Sequence, residues 1–300
     1  GRYLPGLNDE QWCDRRLWAR IHHYTGRRLR AEIEPVAARD FLRFLFEWQR
    51  VAPGTRMEGP DALAAITGQL EGFEAAAGAW ESEILPARLG DYDPAWLDDL
   101  CLSGRLAWAR LRPRSPRPEE TGRGGVTPVR STPITLLARR NAGLWTLLSP
   151  DADGIKPGAT ARRVLEVIRR DGASFFDELA EGSGLLKPQV EEALAELVAL
   201  GLVTSDSFAG LRALLAPGGS GSQRRRRSIS FAMENAGRWA LARRPRVSEN
   251  EAKAAAEAAE HLARTLLRRY GVVFWRLIER EAAWLPPWRD LLRVFHRLEA

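Results

Sequence analysis

The chain has 300 residues, with 45 Lys or Arg against 39 Asp or Glu, a net charge of +6 and an isoelectric point near 9.9. That length supports two or three domains, each with its own core. No apolar run of about eighteen residues occurs, which excludes a membrane-spanning helix, and the opening GRYLPGLNDEQWCDRR has no apolar signal core, which points to an intracellular, cytoplasmic or nucleoid protein. Cys13 and Cys101 share no CxxC spacing and build no disulfide framework, so both read as inert thiols. The positive charge is nearly all arginine, Lys156, Lys187 and Lys253 being the only lysines. Arginine grips phosphate with two N–H groups at once and stacks on bases, so the balance permits nucleic-acid binding. A GC-rich codon bias would also favour arginine over lysine, but it does not account for the net positive sign.

Residues 1–90 read as mostly helical. WCDRRLWARIHHYTG runs without a breaker, with Leu17, Ile21 and Tyr24 on one face and Arg15, Arg16, Arg20, Arg27, Arg28 and Arg30 on the other. VAARDFLRFLFEWQRV places Phe41, Leu42, Leu45 and Phe46 on one stripe, and GPDALAAITGQLEGF starts with Pro60 in a first helical turn. Asp93-Pro94 reads as a cap and a first-turn proline opening a short helix that Gly104 stops. RLAWARL and STPITLLA read as strands. Between them RPRSPRPEETGRGGVTPVR is too rich in Pro, Gly and charge to order itself, which predicts a flexible loop over 113–131.

The clearest module spans residues 160 to 206. TARRVLEVIRRDG gives a first helix, ASFFDELAEGSG a short strand and second helix, and LLKPQVEEALAEL a third with Val190, Leu194, Leu197 and Val198 at helical spacing. LVTSD then begins a strand. Helix, short strand, helix, helix, strand is the winged-helix order. The third helix, which in many such domains reads the major groove, carries Glu191, Glu192 and Glu196 outward. Carboxylates facing DNA phosphates repel, so this helix is expected to serve as scaffold or to face a basic surface elsewhere. Phosphate contact is instead expected from Arg162, Arg163, Arg169 and Arg170 on the first helix, from the linker run Arg224, Arg225, Arg226 and Arg227, and from Arg268 and Arg269 in a second module.

That second module is an internal repeat: VIRRDGASFFDEL corresponds to LLRRYGVVFWRLI, matching Arg169-Arg170 with Arg268-Arg269 and Phe175 with Phe274. Ahead of it, SISFAMENAGRWALA alternates Ile229, Phe231 and Met233 and predicts a β-hairpin. The second module stops at Ala300, where its wing should start, so the chain reads as a piece of something longer. The expected division is a helical, winged-helix-like domain over 1–90, a helix with barrel strands over 91–148, a winged-helix domain over 149–217, an arginine-rich linker and hairpin over 218–247, and a second winged-helix domain over 248–300. The fold class is mainly α with small β, tandem winged helices plus a small β-barrel-like region.

Catalytic motifs are missing from the sequence. No GxxxxGK[ST] phosphate loop, HExxH or GxSxG occurs, and DELA at Asp177 falls inside a helix rather than after a buried strand. The adjacent His22 and His23 point two ways on a helix and do not share a metal. Tryptophans at 12, 18, 48, 80, 96, 108 and 145 read as core, whereas Trp239, Trp275 and Trp284, beside arginines, are the better candidates for stacking on bases.

Several stretches together resemble the C-terminal region of long bacterial Lhr proteins, the large helicase-related superfamily 2 helicases. They are WCDRRLWARIHHYTGRRLRAEIEPV, FLRFLFEWQRV, LEGFEAAAGAWESEILPARLGDYDPAWLDDLCLSGRLAW, GLLKPQVEEALAELVALGLVTSD and LLRRYGVVFWRLIEREAAWLPPWRDLLRVFHRLEA. The resemblance implies an ATP-dependent 3′-to-5′ DNA translocase linked to repair, whose motor, with its ATP and Mg, lies upstream, leaving this region without a cofactor. It implies DNA (single-stranded, forked or RNA–DNA hybrid), the helicase core and further copies of the chain as partners, and an architecture similar to AlkZ-type DNA glycosylases. The glutamine-rich catalytic motif of those glycosylases has no match here, so the resemblance carries architecture and no catalytic residues. Three functions compete: a nucleic-acid-binding non-motor region, a glycosylase-like module excising for example uracil, and an oligomerisation platform.

Overall fold

Apolar residues recur every three to four positions along most of the chain, and the outcome is a mainly helical protein with small sheets, seen in a computed structural model that describes residues 14–31, 35–112, 129–151, 154–215, 233, 236–242 and 251–299. The chain forms two compact units, Gly1–Phe44 and Leu45–Ala300.

In the first unit, α1 (Arg15–Ala31) starts where the Asp14 side chain accepts hydrogen bonds from the Arg16 and Leu17 backbone N–H groups. It continues through Gly26. The expected apolar face is present but exposed: Leu17, Ile21 and Tyr24 are 43%, 52% and 66% accessible. Helix α2 (Ala38–Trp48) straddles the boundary and buries none of its residues.

The second unit opens with β1 (Met57–Glu58) and α3 (Pro60–Gln69), with Pro60 in the first turn as expected. Two-residue β2 (Ala75–Ala76) and a π-helical turn at Trp80–Ile84 lead to β3 (Leu89–Gly90), which runs parallel to β1. The Asp93 side chain accepts from the Ala95 N–H at 2.9 Å and opens α4 (Pro94–Leu102). Strands β4 (Leu106–Ala109) and β5 (Pro133–Ala138) pair antiparallel, and β2 adds to the far edge of β5. A tight turn at Arg139–Asn141 enters α5 (Ala142–Leu148). Of the expected loop, residues 113–128 lie outside the described residues and Val129–Ser131 form a short 3-10 turn whose Val129 is buried.

The winged helix forms as expected, with one addition. Helix α6 (Ala159–Asp171), β6 (Ser174–Phe175), α7 (Phe176–Ser183), α8 (Lys187–Leu200) and β7 (Val203–Ser205) follow in order. Left-handed Gly184 and Gly201 end α7 and α8, conformations a Cβ would penalise. After β7 comes α9 (Phe208–Leu215), an element the sequence reading did not single out, which buries Phe208 and Leu211. Strand β8 (Arg238–Leu241) then inserts between β6 and β7, giving the order β6-β8-β7.

That placement corrects two expectations. Residues 238–241 are the return strand of this wing, not part of a barrel, and the 228–231 side of the expected hairpin lies outside the described residues. Among the described residues the sheets hold two or three strands each and none closes into a barrel. Trp239, expected to be available to bases, is wholly buried with its ring edge-on to Trp108, 6.3 Å away between centroids.

One apolar core joins these layers: Leu63, Trp80 and Leu97 belong to the same cluster as Val164, Leu194 and Trp239. The Trp108 indole N–H donates to the Ser207 carbonyl at 2.9 Å, pinning β4 to the wing. A guanidinium does the same for α9, because Arg212 grips Glu81 through two 2.7 Å bonds and reaches Asp98 at 2.9 Å.

The second module comprises α10 (Glu251–Tyr270), α11 (Trp275–Ile278) and α12 (Trp288–Glu299). The expected short strand at 272–274 makes no ladder among the described residues, although Phe274 is fully extended. Leu262, Leu266 and Leu291 pack with Leu111, Leu137 and Trp145 in a second cluster. At its edge Arg269, 1% exposed, pairs with Glu281 and donates to the Glu71 carbonyl, while its guanidinium lies 5.5 Å over the Phe73 ring. Arg269→Leu strands a buried carboxylate and is expected to cost about 3–5 kcal/mol, read as a fall in Tm. Adding Glu281→Leu should recover part of that loss; a further fall in the double variant would contradict the pairing.

Candidate nucleic-acid interface

Each proposed contact residue can now be placed. Helix α6 buries Ala161, Val164, Leu165, Val167 and Ile168 against α7 and α8, so the helical period forces Arg162, Arg163, Arg169 and Arg170 to its exposed side. Glu166 and Asp171 share that side, and among the described residues only Arg170 is ion-paired there, with Asp171 at 2.7 Å. The Arg162 and Arg163 guanidiniums donate to the Pro157 and Ser183 carbonyls, and among the described residues neither has a carboxylate partner. Arg224, Arg225, Arg226 and Arg227 lie outside the described residues.

The two modules part company at their second arginine. Arg268 is exposed like Arg169, whereas Arg269 is sealed inside with Glu281 and cannot reach a phosphate. Its assignment as a contact is corrected on that ground. Phe175 and Phe274 do correspond: both cap the following helix in extended conformation and both are exposed, at 48% and 41%. Trp275 is exposed, while Trp284 is half-buried and donates to Glu74 at 3.2 Å.

The acidic helix α8 is scaffold in this structure. Ala193, Leu194, Ala195, Leu197, Val198 and Ala199 are all buried, so the helix is covered on nearly every side. Glu196 accepts the Gly158 N–H at 2.6 Å and thereby caps α6, where a carboxylate also meets the positive end of the helix dipole. Glu191 is half-buried, and its burial, together with Glu192, holds its carboxyl above the usual glutamate range. Of Gln189, Glu191, Glu192 and Glu196, which the helical period turns outward, Gln189 and Glu192 stand open to solvent.

A pocket of about 340 Å³ lies between the end of α3, the turns flanking β4 and β5, and α10. Arg105, Arg140 and Arg268 line it together with Gly68, Leu106 and Glu71. The Glu71 side chain is 2% exposed and fully engaged: it accepts from Asn141 at 2.9 and 3.2 Å and from the Trp145 indole at 3.1 Å, and the His261 ring lies 3.5 Å away. Sequence reasoning found Arg268 but missed Arg105, Arg140 and Glu71, which meet only through pairings of distant segments.

Burial pushes the Cys101 thiol up to about 12, so it stays protonated, in keeping with an inert thiol; Cys13 lies outside the described residues. Among the described residues no helix is long and apolar enough to cross a membrane.

Helix, strand, two helices and a three-stranded wing define a winged-helix protein, with a second, related helical module packed against α5, Leu111 and Leu137. Residues 36–126 and 252–300 each match the family described as large helicase-related protein, winged-helix domain. The chain is 34% identical over 217 residues to a protein of Mycolicibacterium smegmatis named Lhr helicase/probable uracil glycosylase, covering 72% of this chain and 13% of that protein. It is 26% identical over 307 positions to the Lhr helicase/uracil glycosylase of Escherichia coli K12, covering 90% of this chain and 19% of that protein. The chain belongs to the large helicase-related (Lhr) family, matches its C-terminal winged-helix region, and spans less than a fifth of the length of either relative.

Glu71 makes the fold sensitive to acid. Burial opposes its ionisation, but His261, Asn141 and Trp145 outweigh that and hold its carboxyl below the usual 4.5. A depressed folded value stabilises the fold above pH 4.5 and loses that contribution as pH falls through the lower folded value. Glu71→Gln is expected to melt earlier at neutral pH, by about 1–3 kcal/mol, and to show a shallower decline in Tm below pH 4.5. Parallel acid limbs in the two chains would contradict this.

Proposed function

We propose that this chain is a non-motor, nucleic-acid-binding region of an Lhr-type ATP-dependent DNA helicase acting 3′-to-5′ in DNA repair. The observation that carries the reading is the separation of charge in the winged helix. Four arginines line the exposed side of α6, while Glu191 and Glu196 of α8 are drawn inward. An exposed cationic helix side suits the phosphate backbone, which supplies most of the affinity for DNA without reading its sequence. Single-stranded, forked or RNA–DNA hybrid duplexes are the ligands proposed, with the helicase core and further copies of the chain as protein partners. ATP and Mg serve the motor, elsewhere in the protein, and this region takes no cofactor of its own. A nucleoid location in the cytoplasm follows from that role.

Fluorescence anisotropy with labelled single-stranded and forked oligonucleotides tests the reading. Arg162→Ala with Arg169→Ala should weaken binding and reduce the slope of log affinity against log salt by about 2. Arg224–227→Ala should reduce it further, and unchanged affinity in both variants rejects these arginines as contacts.

A second reading, base excision, is favoured by the names of both relatives, each of which includes uracil glycosylase. Incubating the chain with uracil-containing DNA and then alkali should cleave the strand under that reading; intact strands remove it for these 300 residues.

A further inference from the structure

We propose that the pocket between α3, the β4 and β5 turns and α10 is a phosphate-binding site, with Arg105, Arg140 and Arg268 as its anion-holding residues. Three arginines from three separate parts of the chain line one concavity. Gathering like charges in a recess is unfavourable unless an anion enters it. None of the three has a carboxylate partner: among the described residues the Arg105 and Arg140 guanidiniums make no hydrogen bond or ion pair, and Arg268 donates only to the Gly68 carbonyl, at 3.3 Å. Among the described residues Glu71 makes no ion pair with any of them; its two oxygens are taken up by Asn141, Trp145 and His261.

The scaffold beneath the arginines is rigid. The Arg139 N–H donates to the Arg105 carbonyl at 3.0 Å, and the Arg105 N–H to that of Leu100 at 3.1 Å, so the two turns are tied to each other. The Arg268 carbonyl accepts the Trp48 indole N–H at 2.9 Å, which fixes the third corner. The backbone under each arginine is therefore fixed, and only the side chains have to be ordered around an anion. A volume near 340 Å³ exceeds what one phosphate fills and leaves room for the group that carries it.

Two sources share this chemistry, a nucleic-acid backbone and a free phosphate compound. Where the backbone is the source, the site adds to the function proposed above; where a free phosphate is, it stands without it. The test uses the full chain and Arg105→Gln/Arg140→Gln, with Arg289→Gln/Arg293→Gln as an equal loss of exposed charge elsewhere. Thermal melts with inorganic phosphate and pyrophosphate are run beside oligonucleotide anisotropy. A rise in Tm with either anion, lost in the pocket variant and kept in the control, establishes the site with a free ligand. No rise, but oligonucleotide affinity lowered about tenfold or more in the pocket variant alone, assigns it to the backbone. Oligonucleotide binding that persists equally in all three chains, without an anion response, overturns the pocket while leaving the nucleic-acid reading intact. If the unaltered chain binds no oligonucleotide, that reading fails and the anion melts alone decide the pocket, a flat response overturning it.

Discussion

The geometry of the second unit depends on charge taken out of water at residue 71. Its carboxylate draws in Asn141 and Trp145 from the start of α5 and His261 from α10, and its carbonyl accepts from the sealed Arg269. A buried carboxylate tolerates no missing partner, so each of these groups is held in one place. The next residue shows how tight the junction is. Gly72 has φ +75° and a Cβ there would fall 2.1 Å from the Trp145 ring, so the chain can pass the indole only as glycine. Fixing α3, α5 and α10 together also fixes the recess above them, where Arg105, Arg140 and Arg268 meet.

Repetition followed by divergence explains the rest of the charge layout. The two modules share an arginine pair before the turn and an extended phenylalanine after it. In the first, both arginines remain on the surface; in the second, Arg268 stays outside and Arg269 turns inward to Glu281. The aromatic after the shared phenylalanine diverges too: Phe176 is buried, Trp275 is 55% exposed. The same sequence pattern therefore serves a solvated cationic side in one copy and an internal strut in the other.

What could be read in advance follows from the range of the interactions. Local periodicity placed α3, α4, α6, α7 and α8, because an amphipathic stripe, a proline in the first turn and a terminal glycine all act within a few residues. The stripe on α1 was also legible, yet its exposure was not. The pairing of β8 with β6 and β7 was not legible because those strands lie more than thirty residues away in sequence, beyond α9 and the arginine-rich segment. The burial of Arg269 was unreadable for a similar reason, since the carbonyl it serves is 198 residues distant. Residue type alone marks an arginine as a phosphate ligand; only the identity of its neighbours decides whether it is one.

The acidic third helix follows from the same principle. A winged helix that reads DNA leaves its third helix open on one side, whereas α8 is pressed between α6 and the turn at Val129–Ser131, with Arg110 donating to its Ala199 carbonyl. Once that helix is enclosed, a charge of either sign on it loses water, so a carboxylate that caps a neighbouring helix, and finds its donor there, is a stable choice. Glu196 at the start of α6 is such a carboxylate, and by anchoring α6 it orients the side that carries Arg162, Arg163 and Arg169 toward solvent. The negative charge on the apparent recognition helix thus supports the positive charge displayed next to it.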